Sequence, residues 1–493
     1  MTRIHSTGPA LLGLLLAALT CLNPATLAAQ VPDRSAPPEL GPPPELRLPP
    51  IHRLELSNGA RVVLLEKHNV PLVQVNLVVR AGSAMDSENA AGLASLTADM
   101  LDEGAAGRDA LELADAIDFL GARLFVSAGE HSTMIGLHTP LSRLDAALEL
   151  MADVVLRPDF PEDELERKRL QRLTTIVQAH DQPRAIASVA FDRTLYGDQH
   201  PYGRPDMGDE ASLRAVRVAD LRDFHRTYFR PNNAFFVVVG DITMGAIRPK
   251  LEALFRDWRR GGVPLKSWPQ AEQVQRRAVY LVDKPGAAQS EIRIGRIGAQ
   301  RLSEDYYALV VMNTILGGSY TSRLNDNLRE QHGYTYGARS SFEFQPLPGP
   351  FQASAAVGTA VTDKALTEFF NELRGILEPV HDEELTRAKN YVALRFPSRF
   401  QTVSGIAGQL TQLVLYDLSD GYFDDYVARI LAVTQEDVQR VAREYIDPER
   451  MAIIVVGDRG AIEEGVRGLG LGPINHLTIE DVLGPAPDLT GTQ

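Results

Sequence analysis

Asp220–Asp241, DLRDFHRTYFRPNNAFFVVVGD, returns later in the chain as Asp437–Asp458, DVQRVAREYIDPERMAIIVVGD. The offset is 217 at both ends, since 437 − 220 and 458 − 241 agree. Tyr228 pairs with Tyr445, Pro231 with Pro448, and each copy ends in Val-Val-Gly-Asp. Both copies predict a helix, a proline turn, an apolar strand and a Gly-Asp turn. An internal period is the strongest statement a single sequence makes about architecture. This one predicts an α+β fold of two tandem homologous domains, each near 200 residues.

The rest of the chain divides around that repeat. Residues 1–29 have the pattern of a secretory signal peptide: Arg3, an apolar run from Ala10 to Leu22, and small residues before Gln30. The run is too short for a permanent membrane span. Thr20 precedes Cys21 where a lipoprotein signal wants a small residue, so cleavage near Ala29 is favoured over lipidation. Residues 30–50 form a proline-rich leader with eight prolines from Val31 to Pro50, stiff and extended. A first domain at 51–260, a linker at 261–275, a second domain at 276–475 and a tail at 476–493 complete the expected layout.

Within the first domain, Arg61–Glu66, Leu72–Arg80 and Ala234–Asp241 read as strands, and Phe125–Gly136 as a single strand. Ala110–Leu120, Leu141–Leu156 and Asp163–Gln178 read as helices. The second opens with strands at Ala278–Val282 and Ser290–Ile297 and a helix at Asp305–Leu316. Cys21 is the only cysteine, so the processed chain holds no disulfide; the net charge of −14 becomes 49 − 64 = −15 without the signal. An acidic balance excludes nucleic acid as a natural partner.

The stretch Gly92-Leu93-Ala94-Ser95-Leu96-Thr97-Ala98-Asp99-Met100 carries the chemistry. Leu93, Leu96, Met100 and Leu101 recur at helical spacing, which predicts an amphipathic helix on the core. The segment resembles the start of the pitrilysin/insulinase family of zinc peptidases, whose inverted His-x-x-Glu-His motif lies on such a helix. The resemblance implies that two histidines would hold zinc and the glutamate would activate its water. Ser95, Ala98 and Asp99 stand at those three positions. The family's third ligand, a glutamate, matches Thr175 within Thr174-Thr175-Ile176-Val177-Gln178-Ala179-His180-Asp181-Gln182-Pro183, 76 residues beyond Asp99. Catalytic zinc needs about three N, O or S protein ligands and an open position. Ser95 is a poor ligand, Ala98 offers none, and Asp99 alone makes no site, so no metal cofactor is expected in this chain.

Leu328-Arg329-Glu330-Gln331-His332-Gly333-Tyr334-Thr335-Tyr336-Gly337 resembles the family's Arg-Glu-x-x-Gly-x-x-Tyr element. By that resemblance Arg329 and Tyr336 bind substrate and assist the transition state. A guanidinium offers a planar fork of donors, and a phenol can donate to a tetrahedral oxyanion. Gly333 suits a left-handed helix cap. Tyr334 has the wrong spacing from Arg329. Glu130-His131 and His138 lack a third ligand, and His180-Asp181 reads as a turn contact.

An intact Arg/Tyr element beside a dismantled zinc motif implies, through the family's heterodimeric members, a division of labour. The expected function is a non-catalytic, substrate-binding subunit of an exported, periplasmic or extracellular, heterodimeric zinc metallopeptidase. Alone it is inactive; a His-x-x-Glu-His-bearing homologue supplies the zinc, and peptides are the substrates of a chamber between bowl-like halves. The alternative is a structural or peptide-binding homologue with no peptidase role.

Overall fold

The computed structural model describes residues 46–489. The signal peptide with Cys21, the leader up to residue 45 and the last four residues of the tail lie outside the described residues.

The first half forms a six-stranded sheet from β1 (Ile51–Glu55), β2 (Arg61–Glu66), β3 (Leu72–Val79), β4 (Arg123–Ala128), β5 (Thr133–Pro140) and β6 (Ala234–Gly240), in the order β1-β2-β6-β3-β5-β4. The second uses β7 (Ala278–Asp283), β8 (Gln289–Ile297), β9 (Thr335–Phe344), β10 (Pro348–Gly358), β11 (Ala452–Gly457) and β12 (Ile474–Leu477), in the matching order β12-β7-β11-β8-β10-β9. The repeat of 217 extends far past the segment that reveals it. β2 and β7 begin at 61 and 278, and β3 and β8 at 72 and 289. Helices α6 (Val218–Tyr228) and α11 (Gln435–Tyr445) correspond at both ends.

One face of the first sheet packs on its own helices, α1 (Leu93–Asp99) and α3 (Leu144–Leu156) among them, through Val62, Leu64, Val75, Leu77, Leu148 and Met151. The opposite face belongs to the other half. Val63, Leu65, Val237 and Val239 share a buried cluster with Ile406, Ala407 and Leu410 of α10 (Val403–Leu415), which lies across β3 and β6. Arg80, just past β3, donates to the last carbonyls of that helix, Val414 at 2.7 Å and Leu415 at 3.1 Å. Reciprocally, α5 (Pro183–Tyr196) lies across β11 and β8, with Ile186, Ala187 and Phe191 against Ile454 and Val456. Shifting 183–196 by 217 gives 400–413, the span of α10 within three residues. The two repeats therefore exchange their equivalent helices. Strands covered on both faces read as unbroken apolar runs, as β2 and β6 do.

Gly295 records the exchange in one residue. A Cβ there would stand 2.7 Å from the Phe191 ring and 2.0 Å from Phe351 O, so only glycine lets the neighbouring half's aromatic seat on β8.

Two sequence expectations change. Phe125–Gly136 is a hairpin, β4 and β5, reversed at Gly129–Ser132, where Gly129 N–H donates to Ser132 O at 2.8 Å. Alternation continues on both sides of so short a turn, so it reads as one strand. The boundary expected at 475/476 falls inside β12, which pairs parallel with β7, and helix α12 (Ile479–Leu483) then packs on α5. No helix among the described residues is long and apolar enough to cross a membrane.

Phe191 is fully buried in the exchanged contact. Phe191→Ala is expected to cost about 3–5 kcal/mol and to lower the unfolding of both halves together, in one denaturant transition. Separate unfolding of the halves, with only one shifted, would contradict the exchange as the source of their cohesion.

Candidate functional site

Helix α1 starts at Gly92, whose φ of +85° and close approach to Met207 O (2.6 Å from a built Cβ) exclude a side chain. Asp86 receives the helix start: its two carboxyl oxygens accept from Gly92 N and Ala94 N, each at 2.9 Å. Leu96, Met100 and Leu101 are fully buried and Leu93 partly so, as their spacing predicts. The positions of interest thereby face α4 (Glu162–Ala179) and the loop at 205–209.

Arg172 occupies that space. It projects from α4 three residues before Thr175 and is 8% exposed. Its Nη1 donates to Ser95 Oγ at 3.0 Å, Met207 O at 3.1 Å and Gly92 O at 3.3 Å. Its Nη2 donates to Asp99 Oδ2 at 2.6 Å. The Ser95 hydroxyl also lies 2.5 Å from Asp206 O and 3.1 Å from Gly92 O. One guanidinium thus bridges the two positions where the motif has histidines. Ala98 is buried among core side chains and offers nothing to the site. Thr175 spends its hydroxyl on Gln171 O, 3.0 Å away in its own helix.

These residues do not fit a zinc ion. A fixed positive charge sits between Ser95 and Asp99, and like charges within a few ångströms repel strongly. Among the described residues no three His, Cys, Asp or Glu side chains converge as metal ligands. Reading along the sequence missed Arg172. The available signal was its place one helical turn from Thr175, on the same face, opposite the otherwise unpartnered acid Asp99.

Arg329 and Tyr336 lie in the second half and make no direct hydrogen bond or ion pair with the Arg172 cluster among the described residues. Arg329 is on a π-helical turn, Asp326–Gln331, closed by Gly333 at φ +65°, with Gly333 N–H donating to Arg329 O and Tyr334 N–H to Leu328 O. Its guanidinium carbon stands 4.8 Å from the centre of the Tyr320 ring, and Nε lies 3.4 Å from Glu330 Oε1. Glu330 also accepts from the Tyr320 hydroxyl at 3.1 Å. Tyr336, second residue of β9, has 91% of its surface exposed, an unusual state for a large aromatic side chain. Tyr334 instead stacks on His332.

His131 and His138 make contacts that tie the fold together. His131 Nε2 and the Tyr202 hydroxyl share a hydrogen bond of 2.6 Å, and that hydroxyl accepts from Leu347 N–H at 3.3 Å, tying the β4–β5 turn to the second half. Burial pulls the His131 pKa down to about 4, leaving a neutral imidazole. His138 joins a buried chain with Gln74, which also accepts from Ser404 of α10. Asp181 pairs with Lys284 at 2.8 Å.

Near this junction a group of carboxyls is held against its charge. Burial raises Glu130 to about 8, reinforced by Asp206, Glu343 and Asp192. Burial likewise raises Asp192 to about 7, with Glu343 and Asp206 adding and Arg293 opposing. Each folded-state pKa exceeds its unfolded value, so the folded protein binds more protons between about pH 4 and about pH 8. Stability from these groups is therefore lost as pH rises through that window. Glu130→Gln is expected to raise the thermal midpoint at about pH 9 while leaving it nearly unchanged at about pH 5. A gain confined to acid pH would contradict that sign.

The plug makes a second prediction. The quadruple variant Ser95→His, Ala98→Glu, Asp99→His, Thr175→Glu should bind zinc poorly while Arg172 remains. Adding Arg172→Ala should tighten binding by a factor of about 100 or more, because unit charges about 4 Å apart repel by about 4 kcal/mol at an effective dielectric of about 20. Chelator competition measures both affinities; equal values would reject electrostatic exclusion.

Comparison with known proteins gives this geometry its setting. A family profile described as insulinase (peptidase family M16) matches residues 61–208, and one described as peptidase M16 inactive domain matches residues 215–392. An uncharacterised zinc protease of Mycobacterium tuberculosis is 27% identical over 419 residues, covering 83% of this chain and 93% of that protein. A crystal structure of a peptidase M16 inactive domain from Pseudomonas fluorescens superposes with a TM-score of 0.77 at 28% identity, covering 83% of this chain and 98% of the other. A protease from Helicobacter pylori shares the fold, with a TM-score of 0.76 at 21% identity over 83% of this chain and all of the other.

Proposed function

Since the chain belongs to the M16 peptidase family, also called pitrilysin/insulinase, we propose that it serves as the non-catalytic, substrate-binding subunit of an exported heterodimeric zinc metallopeptidase. The observation that carries this reading is Arg172, whose guanidinium hydrogen-bonds Ser95 and Asp99 where family members bear their two histidines. A chain built this way makes no nucleophilic water of its own. Zinc and the general base belong to a homologous partner that bears His-x-x-Glu-His.

Exposed Tyr336, and Arg329 held by Tyr320 and Glu330, support a role in trans. Zinc bound by such a partner would supply the activated water. Arg329 holds a peptide carbonyl or carboxylate through its fork of donors, and the Tyr336 hydroxyl donates to the oxygen that becomes negative as the water adds. Donors aimed at such an oxygen act in the transition state more than in the ground state. The pattern of residues 1–29 supports export to the periplasm or beyond.

Purified alone, the chain is expected to show no peptidase turnover, and to gain it on mixing with a His-x-x-Glu-His-bearing homologue. In that complex Arg329→Ala or Tyr336→Phe should lower kcat by about tenfold or more, since one lost oxyanion donor commonly costs about 10²–10³. Full turnover by both variants would reject the assignment in trans. Turnover by the wild-type chain alone would reject the division of labour.

A further inference from the structure

A cleft of about 430 Å³ lies in the first half between the end of α3, the end of α6 and the chain from Leu254 to Arg259 that leads into the linker. It shares no residue with the Arg172 cluster or with Arg329 and Tyr336. Its size falls within the range of about 300–1,000 Å³ that small-ligand sites occupy. Val155, Leu156, Phe229, Leu254 and Trp258 supply the apolar wall. The Trp258 indole N–H donates to Phe229 O at 2.8 Å, and His225 Nε2–H donates to Val155 O at 2.8 Å. Burial lowers the His225 pKa and nearby Arg230 adds to the shift, so that ring is neutral. The charged lining is lopsided: Arg157, Arg226, Arg230 and Arg259 against Asp257.

We propose that the cleft binds a phosphate monoester, its phosphate held by Arg230 and Arg259 and its organic body set against Trp258. Three observations carry this. The first is the charge that remains once the acids in contact are counted. Arg157 shares Asp153 with Arg108, and Arg226 pairs with Asp223 at 2.8 Å. Arg230, Arg259 and Asp257 make no ion pair among the described residues. Five guanidiniums, Arg108 included, against the carboxylates of Asp153, Asp223 and Asp257 leave 5 − 3 = +2, in a chain whose net charge is −14. A phosphate monoester carries a charge of about −1.5 to −2 near neutral pH, which closes that balance.

The second is the state of Arg230. Asn232 Nδ2 donates to Gly261 O at 3.0 Å and Gly261 N–H to Asn232 Oδ1 at 3.1 Å, which fixes the linker backbone over this side chain. A Cβ on Gly261 would stand 2.9 Å from Arg230 Nε. Nε is buried there, out of the cleft's reach, and the donors left for a ligand are Nη1 and Nη2. Neither donates to any group among the described residues. A planar fork already fixed in place takes two oxygens of one phosphate with little further loss of freedom.

The third comes from the repeat. Position 230 shifted by 217 is Asp447, which stands 3.8 Å from Arg296. The same corner of the fold therefore accepts either sign of charge. In the second half that charge is paired within the chain; in the first it is left for a group from outside.

The test titrates the purified chain with phenyl phosphate, phenyl sulfate and N-acetylated, C-amidated Gly-Glu-Glu-Gly, followed by calorimetry. Phenyl phosphate is expected to bind about tenfold or more tighter than the singly charged phenyl sulfate. Arg230→Asp installs the charge that the second repeat carries, and Arg259→Ala alters an exposed side chain. Each should weaken phenyl phosphate about tenfold or more, the worth of one charge-assisted contact. Co-sedimentation with phosphatidylcholine vesicles, with and without phosphatidic acid, separates the two sources of a monoester. Retention by phosphatidic acid that Arg230→Asp abolishes supports a lipid-borne ester; phenyl phosphate binding without such retention supports a soluble one.

Equal affinity for phosphate and sulfate esters, or affinity unchanged in both variants, overturns the proposal. Tighter binding of the glutamate peptide, lost in Arg230→Asp, overturns it in favour of an acidic peptide. None of these results bears on the subunit reading, whose residues lie elsewhere.

Discussion

Each half of this protein covers its sheet with a helix that belongs to the other. Helix α5 of the first repeat lies on β8 and β11, and α10 of the second lies on β3 and β6. A sheet buried on both faces needs two layers of apolar partners, and neither repeat supplies both. The exchange makes the halves one folding unit and sets the site. α5 follows α4 after only the turn at His180–Gln182, so seating α5 on the second sheet also positions the helix that carries Arg172. The shared Phe191–Gly295 contact and the Tyr202 bridge between His131 and Leu347 hold the same junction.

At the site a positive charge stands where the family resemblance places a metal. A metal ion between α1 and α4 would hold the helices by coordination. A guanidinium holds them through directional hydrogen bonds to Ser95, Asp99, Gly92 O and Met207 O. The planar fork satisfies acceptors on two segments at once, α1 and the loop at 205–209, which a lysine ammonium does less well. It polarises no water and offers no open coordination position. The contact between the helices thereby needs no metal.

Much of this was legible in the sequence. The constant offset of 217 marks the duplicated α+β architecture, and apolar spacing placed the buried face of α1 on Leu96, Met100 and Leu101. The left-handed turn at Gly333 followed from its place after a helix. Ser95, Ala98 and Thr175 could be seen from their side chains alone as poor or impossible zinc ligands, which left Asp99 as a single carboxylate that makes no site. What stayed hidden depends on contacts between distant segments. Arg172 looks like any charge on a polar helix until α1 is laid against α4. The β4–β5 hairpin hides because strand alternation resumes after a four-residue turn. The place of α12 is hidden too: its residues read as tail because nothing local ties Val482 to Arg193.

Metal analysis of the isolated chain is the most direct test of the central claim, that a guanidinium stands where zinc would bind. The purified chain would be exposed to excess zinc, passed through a desalting column and assayed by inductively coupled plasma emission. The account predicts a zinc content indistinguishable from that of a protein with no metal site. One retained equivalent per chain, lost on Asp99→Ala, would contradict it.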